Sequence, residues 1–520
     1  MNEENLEARQ QFLAERNEGV TFVTRRRSRS SSKSFVFSSI ALGLLIAIIV
    51  SLTSQAFSGA FLVGGVMAAL MAVVVIQRPE LGAYLLIITV FTNLSDYVTE
   101  RGLPSVNQPL IALTYLSVFV NYVLMRRGGV IEIPRISRIE GALLAYFLTI
   151  VISLFVSPNS DGVFYIIIDV AKDILAGVCL FLAFNDKEKW SKGGWILIIL
   201  IANLALLGVV KMASGTEFTF GGLAQLSGLG QVGDNGELRY GGPIGEPNIW
   251  AQILVATMPL VLYRFSREKN SFVKINLLFA ALMIMLAIIY TGSRGAFVAL
   301  VITLPLIAIE RKVRFQTAVS TVAIFMVLML FMPKSYTERL SSLTLLFDNK
   351  NEYSLQSDSS FAGREEAMLT GLAMFRDKPL LGVGFGNYGI NYSEYASILG
   401  LSTIPGGTRP GDLPKPHSLY VEIISETGLI GFLTFGAFFG GLLAGILKVY
   451  LRDRKKKTEQ EWATWQIAFF FSILSFLISG IFLHGILWRF IWMLIGLAMA
   501  ILSISENRSV SLTKPRKPSL

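Results

Sequence analysis

Continuous apolar runs, broken by short polar stretches, fill most of this chain, and their lengths match the ~20 residues that cross about 30 Å of hydrocarbon. The pattern predicts fourteen spanning helices, at 35–53, 58–76, 81–97, 108–125, 139–156, 163–184, 194–212, 248–264, 273–290, 296–310, 316–332, 428–449, 463–482 and 486–504. A transmembrane barrel would alternate with a period of two, whereas these runs are unbroken. The expected fold class is therefore an all-α polytopic membrane protein with about 14 transmembrane helices.

One long segment, 333–427, reads as neither span nor tail. Three amphipathic helices are expected within it. The first, 336–347, has Leu340, Leu343 and Phe347 at helical spacing. The second, 364–376, puts Met368, Leu372 and Phe375 on one face and stops before Pro379. The third, 418–427, has Ser418 at the N-cap position and ends at Gly428. The segment should form a helical lid on one membrane face. The domain order is then a disordered basic tail (1–34), spans 1–11 (35–332), the lid (333–427), spans 12–14 (428–504) and a second tail (505–520).

Composition agrees with the pattern. The chain is 53% hydrophobic and only 16% charged, with a mean hydropathy of +0.57; a soluble domain carries about 25% charged residues. A net charge of +10 raises the possibility of nucleic acid as a partner, but its distribution excludes that reading. The basic residues cluster before the first span (Arg25, Arg26, Arg27, Arg29, Lys33), in alternate breaks and in the last tail, as the positive-inside rule requires. Both termini are thus expected in the cytoplasm and the lid outside it. The polar start of the chain argues against a cleaved signal peptide. Cys179 is the single cysteine, so neither a disulfide framework nor a thiol metal site is expected.

The candidate chemistry lies on the outer face. Arg294 sits in the Thr-Gly-Ser-Arg-Gly break at 291–295, against the charge bias of the other outer breaks. Its guanidinium suits bidentate phosphate binding, though an interfacial arginine also snorkels without function. Arg364 opens the second lid helix, where surface pairing with Glu365 or Glu366 is the plainer role. His417, one of two histidines, precedes a helix start that disfavours imidazolium and leaves a neutral ring able to take a proton. Glu422 lies further along that helix, placed to orient the imidazole or bind substrate hydroxyls. Arg239, Glu246 and Asn248 flank the Gly/Pro-rich turn at 241–247 and are expected to face the outer vestibule. Asp169, Lys172 and Asp173 are charges within an apolar span, Asp169 about 9 Å below its outer end by helical rise. Intramembrane charges point to function unless they neutralise one another, which their spacing permits.

No phosphate loop, dinucleotide fingerprint, zinc-binding His pair or Gly-x-Ser-x-Gly elbow occurs, and no outer-face Asp-x-Asp pair that would hold a divalent cation. No cofactor and no metal are expected.

The Ser-Arg-Gly break at Arg294, the Gly363–Arg364 pair leading to Pro-Leu-Leu-Gly-Val-Gly at 379–384, and the run from His417 to Gly431 together resemble the O-antigen ligase and polymerase superfamily. The resemblance covers about 240–450, and the first six spans match only as a hydrophobic pattern. It implies a bacterial inner-membrane glycosyltransferase of GT-C type whose active site faces away from the cytoplasm. The donor is a polyprenyl-diphosphate-linked glycan, the acceptor a lipid or saccharide, and neither metal nor nucleotide sugar is needed. The family's two functional arginines and its histidine fall on Arg294, Arg364 and His417. Ser418 is a departure, since many members carry asparagine after the histidine. Protein O-oligosaccharyltransferases in this superfamily commonly add a C-terminal region; here the chain ends soon after its last span, which favours the other branches.

The primary expectation is transfer of the glycan to a lipid or saccharide acceptor. The alternative is a polymerase using the same donor chemistry. More distant alternatives are a solute transporter, which would need a charged path through several spans, and a non-catalytic scaffold. The oligomeric state is not set by the sequence.

Overall fold

The computed structural model describes residues 69, 71–121, 132–134, 137–157, 160–215, 217–227, 238–313, 359–403, 413–485, 489–506 and 509–511. The expected spans 35–53 and 316–332, most of 58–76, and the expected lid helix 336–347 lie outside these residues. The chain divides into two compact units, one of residues 1–81 with 113–125 and one of 82–112 with 126–520. In the first, Ser117 donates to the carbonyls of Val75 (2.5 Å) and Ile76 (3.0 Å), and Asn121 donates to Ile76 (2.6 Å).

Helices dominate. In chain order they are α1 (Pro79–Phe91), α2 (Leu94–Thr99), α3 (Asn107–Phe119), α4 (Arg138–Val156), α5 (Ser160–Ala183), α6 (Lys187–Ser214), α7 (Pro247–Arg267), α8 (Ser271–Thr291), α9 (Arg294–Glu310), α10 (Ser359–Asp377), α11 (Tyr388–Ile398), α12 (Leu419–Asp453), α13 (Gln460–Ser479) and α14 (Arg489–Ser505). Among the described residues six helices are long and apolar enough to cross a membrane: α4, α6, α7, α8, α12, and α13 together with the 3-10 turn before it. α5 has the length but carries Asp169, Lys172 and Asp173. The expectation of a wholly helical chain needs one small correction. Two-residue β2 (Gln225–Leu226) pairs antiparallel with β3 (Tyr240–Gly242), and β1 (Glu132–Pro134) with β4 (Ser509–Ser511).

Burial orders the helices. α7 and α13 are mostly buried inside the protein and carry Gln252, Thr257, Gln466 and Ser472, whereas α4, α6 and α8 are more apolar and more exposed. This is the arrangement expected where the outer surface meets lipid and polar side chains retreat inward. Close backbone approach helps: Gly177 and Gly496 let α5 and α14 meet, with no room for a β-carbon at either. At the end expected in the cytoplasm, the Trp190 ring meets Trp462, Trp465 and Phe469 edge-on at 5.0–5.4 Å. There Arg264 stacks between Trp195 and Trp465.

Three expectations change. The span at 81–97 is not continuous: α1 ends at Phe91, and Asn93 takes a left-handed backbone (φ 53°) before α2. The lid gains a helix the apolar pattern missed, α11, because it buries Tyr388, Tyr392 and Tyr395 rather than aliphatic residues. The lid helix at 364–376 forms as α10, but it turns the opposite face inward. Ala367, Thr370, Gly371 and Met374 are buried, while Met368 and Leu372 are exposed. The cause is Gly371, whose missing β-carbon admits Val421 of α12.

Candidate functional site

The lid is built around its own small core. Ala367 and Met374 of α10 pack with Val383, Tyr388, Tyr392, Tyr395 and Ala396. Two tyrosine hydroxyls are hydrogen-bonded as well, Tyr388 to the Ala367 carbonyl (2.6 Å) and Tyr395 to Asp377 (2.6 Å).

The Pro-Leu-Leu-Gly-Val-Gly turn then threads a break in α12. At Gly428 (φ 63°, ψ −162°) the helical ladder is interrupted, which leaves backbone groups in need of partners. The turn supplies them. Leu429 N donates to Pro379 O (2.8 Å) and Ile430 N to Leu380 O (3.3 Å); Ser425 O accepts from Val383 N (2.9 Å) and Glu426 O from Gly384 N (3.0 Å). The buried Glu426 carboxylate accepts from Gly386 N (2.8 Å) and Tyr388 N (3.1 Å). Asn387 donates to Ser157, just past α4 (2.5 Å). The glycine motif therefore fixes the lid to a span, and its amides serve α12 rather than a ligand.

This anchorage presents His417 and Arg364. His417 is half-buried, with a left-handed backbone (φ 52°) unusual for a residue with a side chain. Ser418 occupies the N-cap position of α12, as expected, but its hydroxyl makes no capping bond. Burial first, then the charges of Arg364 and Lys415, push the His417 pKa down to about 4. Its ring is therefore neutral near pH 7, and burial and two cations, rather than the helix start, are the reasons. Arg364 does not open its helix as expected, since α10 begins at Ser359, but its charge bears on His417.

Arg294 begins α9 on a different element. Gly295 beside it packs on Phe482, where a β-carbon would fall 2.6 Å from Phe482 Cβ. Phe482 belongs to the turn at 480–485 after α13, and that turn also meets the start of α12. Leu419 N donates to Gly480 O (2.8 Å) and Leu483 O (3.0 Å). Glu422 is buried, and its Oε2 accepts from Gly485 N (3.3 Å). His484 of the same turn meets His417 ring to ring. The structure thus brings His417 of the lid against the 480–485 turn, and the start of α9 packs on that turn through Gly295.

The flanking candidates buttress the Arg294 break. Arg239 donates to Thr291 O (2.6 Å) and to Asn248 (3.1 Å). Asn248 donates to Glu246 (3.3 Å), and Glu246 caps α7 by accepting from Ile249 N (2.8 Å). Asp169 stands apart from this group. It pairs with Lys172 at 3.0 Å on an exposed face, the local neutralisation its spacing allowed. Arg489 joins Asp96 (3.1 Å) and Asp173 (3.7 Å), tying α2, α5 and α14. His484 is the residue the sequence reading passed over; its signal was being the other histidine, in an outer break. Among the described residues no group of three His, Cys, Asp or Glu side chains gathers to hold a metal.

A helical protein with, among the described residues, six helices able to cross a membrane, and with Arg364 bearing on a neutral imidazole, is the class the structure defines. Residues 278–436, which include Arg294, Arg364 and His417, match the family model described as O-antigen ligase. The chain is also 24% identical over 315 residues to the ComP-specific O-oligosaccharyltransferase of Acinetobacter baylyi, covering 58% of this chain and 51% of that relative. It thus spans about half the length of the curated relative it matches. These findings show a likeness to the O-antigen ligase superfamily, carried by residues 278–436.

Proposed function

We propose that the protein is an O-antigen-ligase-like glycosyltransferase of the bacterial inner membrane, moving a glycan from a polyprenyl diphosphate to an acceptor hydroxyl. In this reading the fourteen spans form a GT-C-type scaffold with both termini in the cytoplasm, and 333–427 closes over an outward-facing site. One observation carries the reading: His417 lies within electrostatic reach of Arg364 while the Arg294 turn packs on the turn that holds His484.

The chemistry follows from charge. A departing diphosphate carries several negative charges, and guanidinium groups neutralise them through paired, charge-assisted hydrogen bonds. Arg294 and Arg364 bind the diphosphate and stabilise its departure. The neutral His417 imidazole takes the proton of the acceptor hydroxyl as that oxygen attacks the anomeric carbon. The C–O bond to diphosphate breaks as the new glycosidic bond forms, so one direct displacement inverts the anomeric configuration. Arg239, Glu246 and Asn248 support the Arg294 turn, and Glu422 holds the 480–485 turn beside His417. The donor's lipid tail lies against the spans.

The acceptor defines the subclass. A polymerase would add the glycan to another lipid-linked repeat unit, and the name of the Acinetobacter relative raises a protein hydroxyl as a further acceptor. Purified protein with lipid-linked donor, supplied separately with a lipid A-core, a second lipid-linked unit or a protein acceptor, separates these. Glycan appearing on the lipid A-core supports the ligase reading. Chain growth on lipid-linked donor alone overturns it in favour of polymerisation, and transfer confined to protein overturns it in favour of an oligosaccharyltransferase.

A further inference from the structure

The two histidines of this chain, 67 positions apart, meet edge to face: the ring centroids of His417 and His484 lie 5.7 Å apart at an interplanar angle of 79°. Nothing in the reaction outlined above uses His484. Its surroundings are nonetheless built to hold it. Two carbonyls of its turn, Gly480 and Leu483, share the Leu419 amide at the start of α12. The Tyr420 hydroxyl donates to Leu477 O at 2.8 Å, in the last turn of α13. Gly485, whose φ of 148° suits glycine alone, donates its amide to the buried Glu422 carboxylate. Three attachments to α12 thus bracket one side chain, and that side chain touches His417.

His417 needs such support. Its left-handed backbone is held by its surroundings rather than by local preference. Pro416 before it is buried, and Ser418 after it makes no side-chain cap. Nδ1 of His484 is buried and has no hydrogen-bond partner among the described residues, so the contact with His417 is one of packing.

We infer that His484 is a positioning residue for His417, its ring fixing the His417 imidazole in the orientation that meets the acceptor hydroxyl and keeping water from its covered face. The inference rests on the reading of His417 as the acceptor-side base, but it has a readout of its own. The charged groups that bear on His417 are Arg364 from α10 and Lys415 from its own loop, and the His484 ring packs against it. Burial is the largest influence holding His417 neutral, and the His484 ring lies against it.

With only two histidines present, imidazole ¹⁵N resonances of the full chain in nanodiscs can be followed singly, His417 being assigned by its loss in a His417→Gln sample. In the wild type and in His484→Phe, which keeps a ring of similar reach without a nitrogen, His417 stays neutral down to about pH 4. In His484→Ala its midpoint moves up toward the ordinary value of about 6.5. In transfer assays His484→Phe keeps activity within about threefold. His484→Ala lowers kcat on the order of tenfold or more with donor KM unchanged, and the acid limb of its pH profile follows the NMR midpoint. An unmoved His417 midpoint in His484→Ala overturns the inference. Equal loss in the Phe and Ala variants also overturns it, by showing that the nitrogen itself is used. If the midpoints move as stated but His417→Gln transfers glycan at the wild-type rate, the positioning contact stands and the base role of His417 falls.

Discussion

A β-carbon on Gly428 would lie 2.5 Å from the amide nitrogen of Leu381, so the lid turn and the broken helix α12 cross where only glycine fits. A β-carbon on Gly382 would make the reciprocal approach, 2.5 Å from Ser425 O. Both glycines also have positive φ, so alanine at either adds backbone strain to the clash. Gly428→Ala and Gly382→Ala should each destabilise the protein by about 2 kcal/mol or more. They should also reduce transfer further than that loss explains, because the lid carries both Arg364 and His417. Thermal unfolding of purified protein beside a transfer assay at a temperature where it stays folded measures the two effects. A variant with wild-type stability and activity would show that the crossing relaxes freely.

His417 ties activity and stability to pH in a stated direction. Its folded pKa of about 4 lies below the ordinary value of about 6.5. The unfolded chain therefore binds more protons between these values. Stability is fully present above about pH 6.5 and is lost as pH falls toward 4, by at most about 3 kcal/mol from this residue. Burial, then the charge of His417, also holds His484 well below its ordinary value, and it contributes in the same direction. Replacing His417 by glutamine should flatten stability against pH across that window while lowering kcat on the order of a hundredfold. Denaturation curves at several pH values check the first expectation and single-turnover transfer the second.

Arg294→Lys and Arg364→Lys keep the charge but lose the planar fork. If both residues grip a diphosphate, each variant should lower kcat/KM on the order of tenfold to a hundredfold, with weaker donor binding. Isothermal titration with a lipid-diphosphate analogue isolates the binding part. Wild-type affinity and rate in Arg294→Lys would make Arg294 an anchor of the 291–295 turn.

Much of this architecture was legible in sequence because membrane physics writes it in long runs. The apolar segments at 139–156 and 248–264 became α4 and α7 with ends shifted by at most three residues, and 194–212 became α6, which begins seven residues earlier at Lys187. The lid was harder. Its core rests on tyrosines, so α11 carried no aliphatic stripe, and Gly371 reversed the face of α10 that hydrophobicity favoured. The Pro-Leu-Leu-Gly-Val-Gly motif was visible as a motif, but its purpose depends on a helix break 44 residues further on, at Gly428. His484 was silent for a similar reason. A single histidine in a short break has no pattern around it, and only the folded chain shows what it touches.

The acidic residues of α5 offer a contrast between neighbours four positions apart. Asp169 is largely exposed and pairs with Lys172 within one helix turn, an arrangement generally worth less than about 1 kcal/mol. Asp173 is mostly covered and meets Arg489, which also holds Asp96, so three helices share one guanidinium. Asp169→Asn should therefore leave thermal stability within about 0.5 kcal/mol of wild type and leave transfer unchanged. Asp173→Ala removes a less exposed partner of Arg489 and should cost about 1–3 kcal/mol. Parallel thermal melts and transfer assays on the two variants give the comparison directly. A drop in donor binding for Asp169→Asn at unchanged stability would instead bring Asp169 into the substrate path, as its place in an apolar span first suggested.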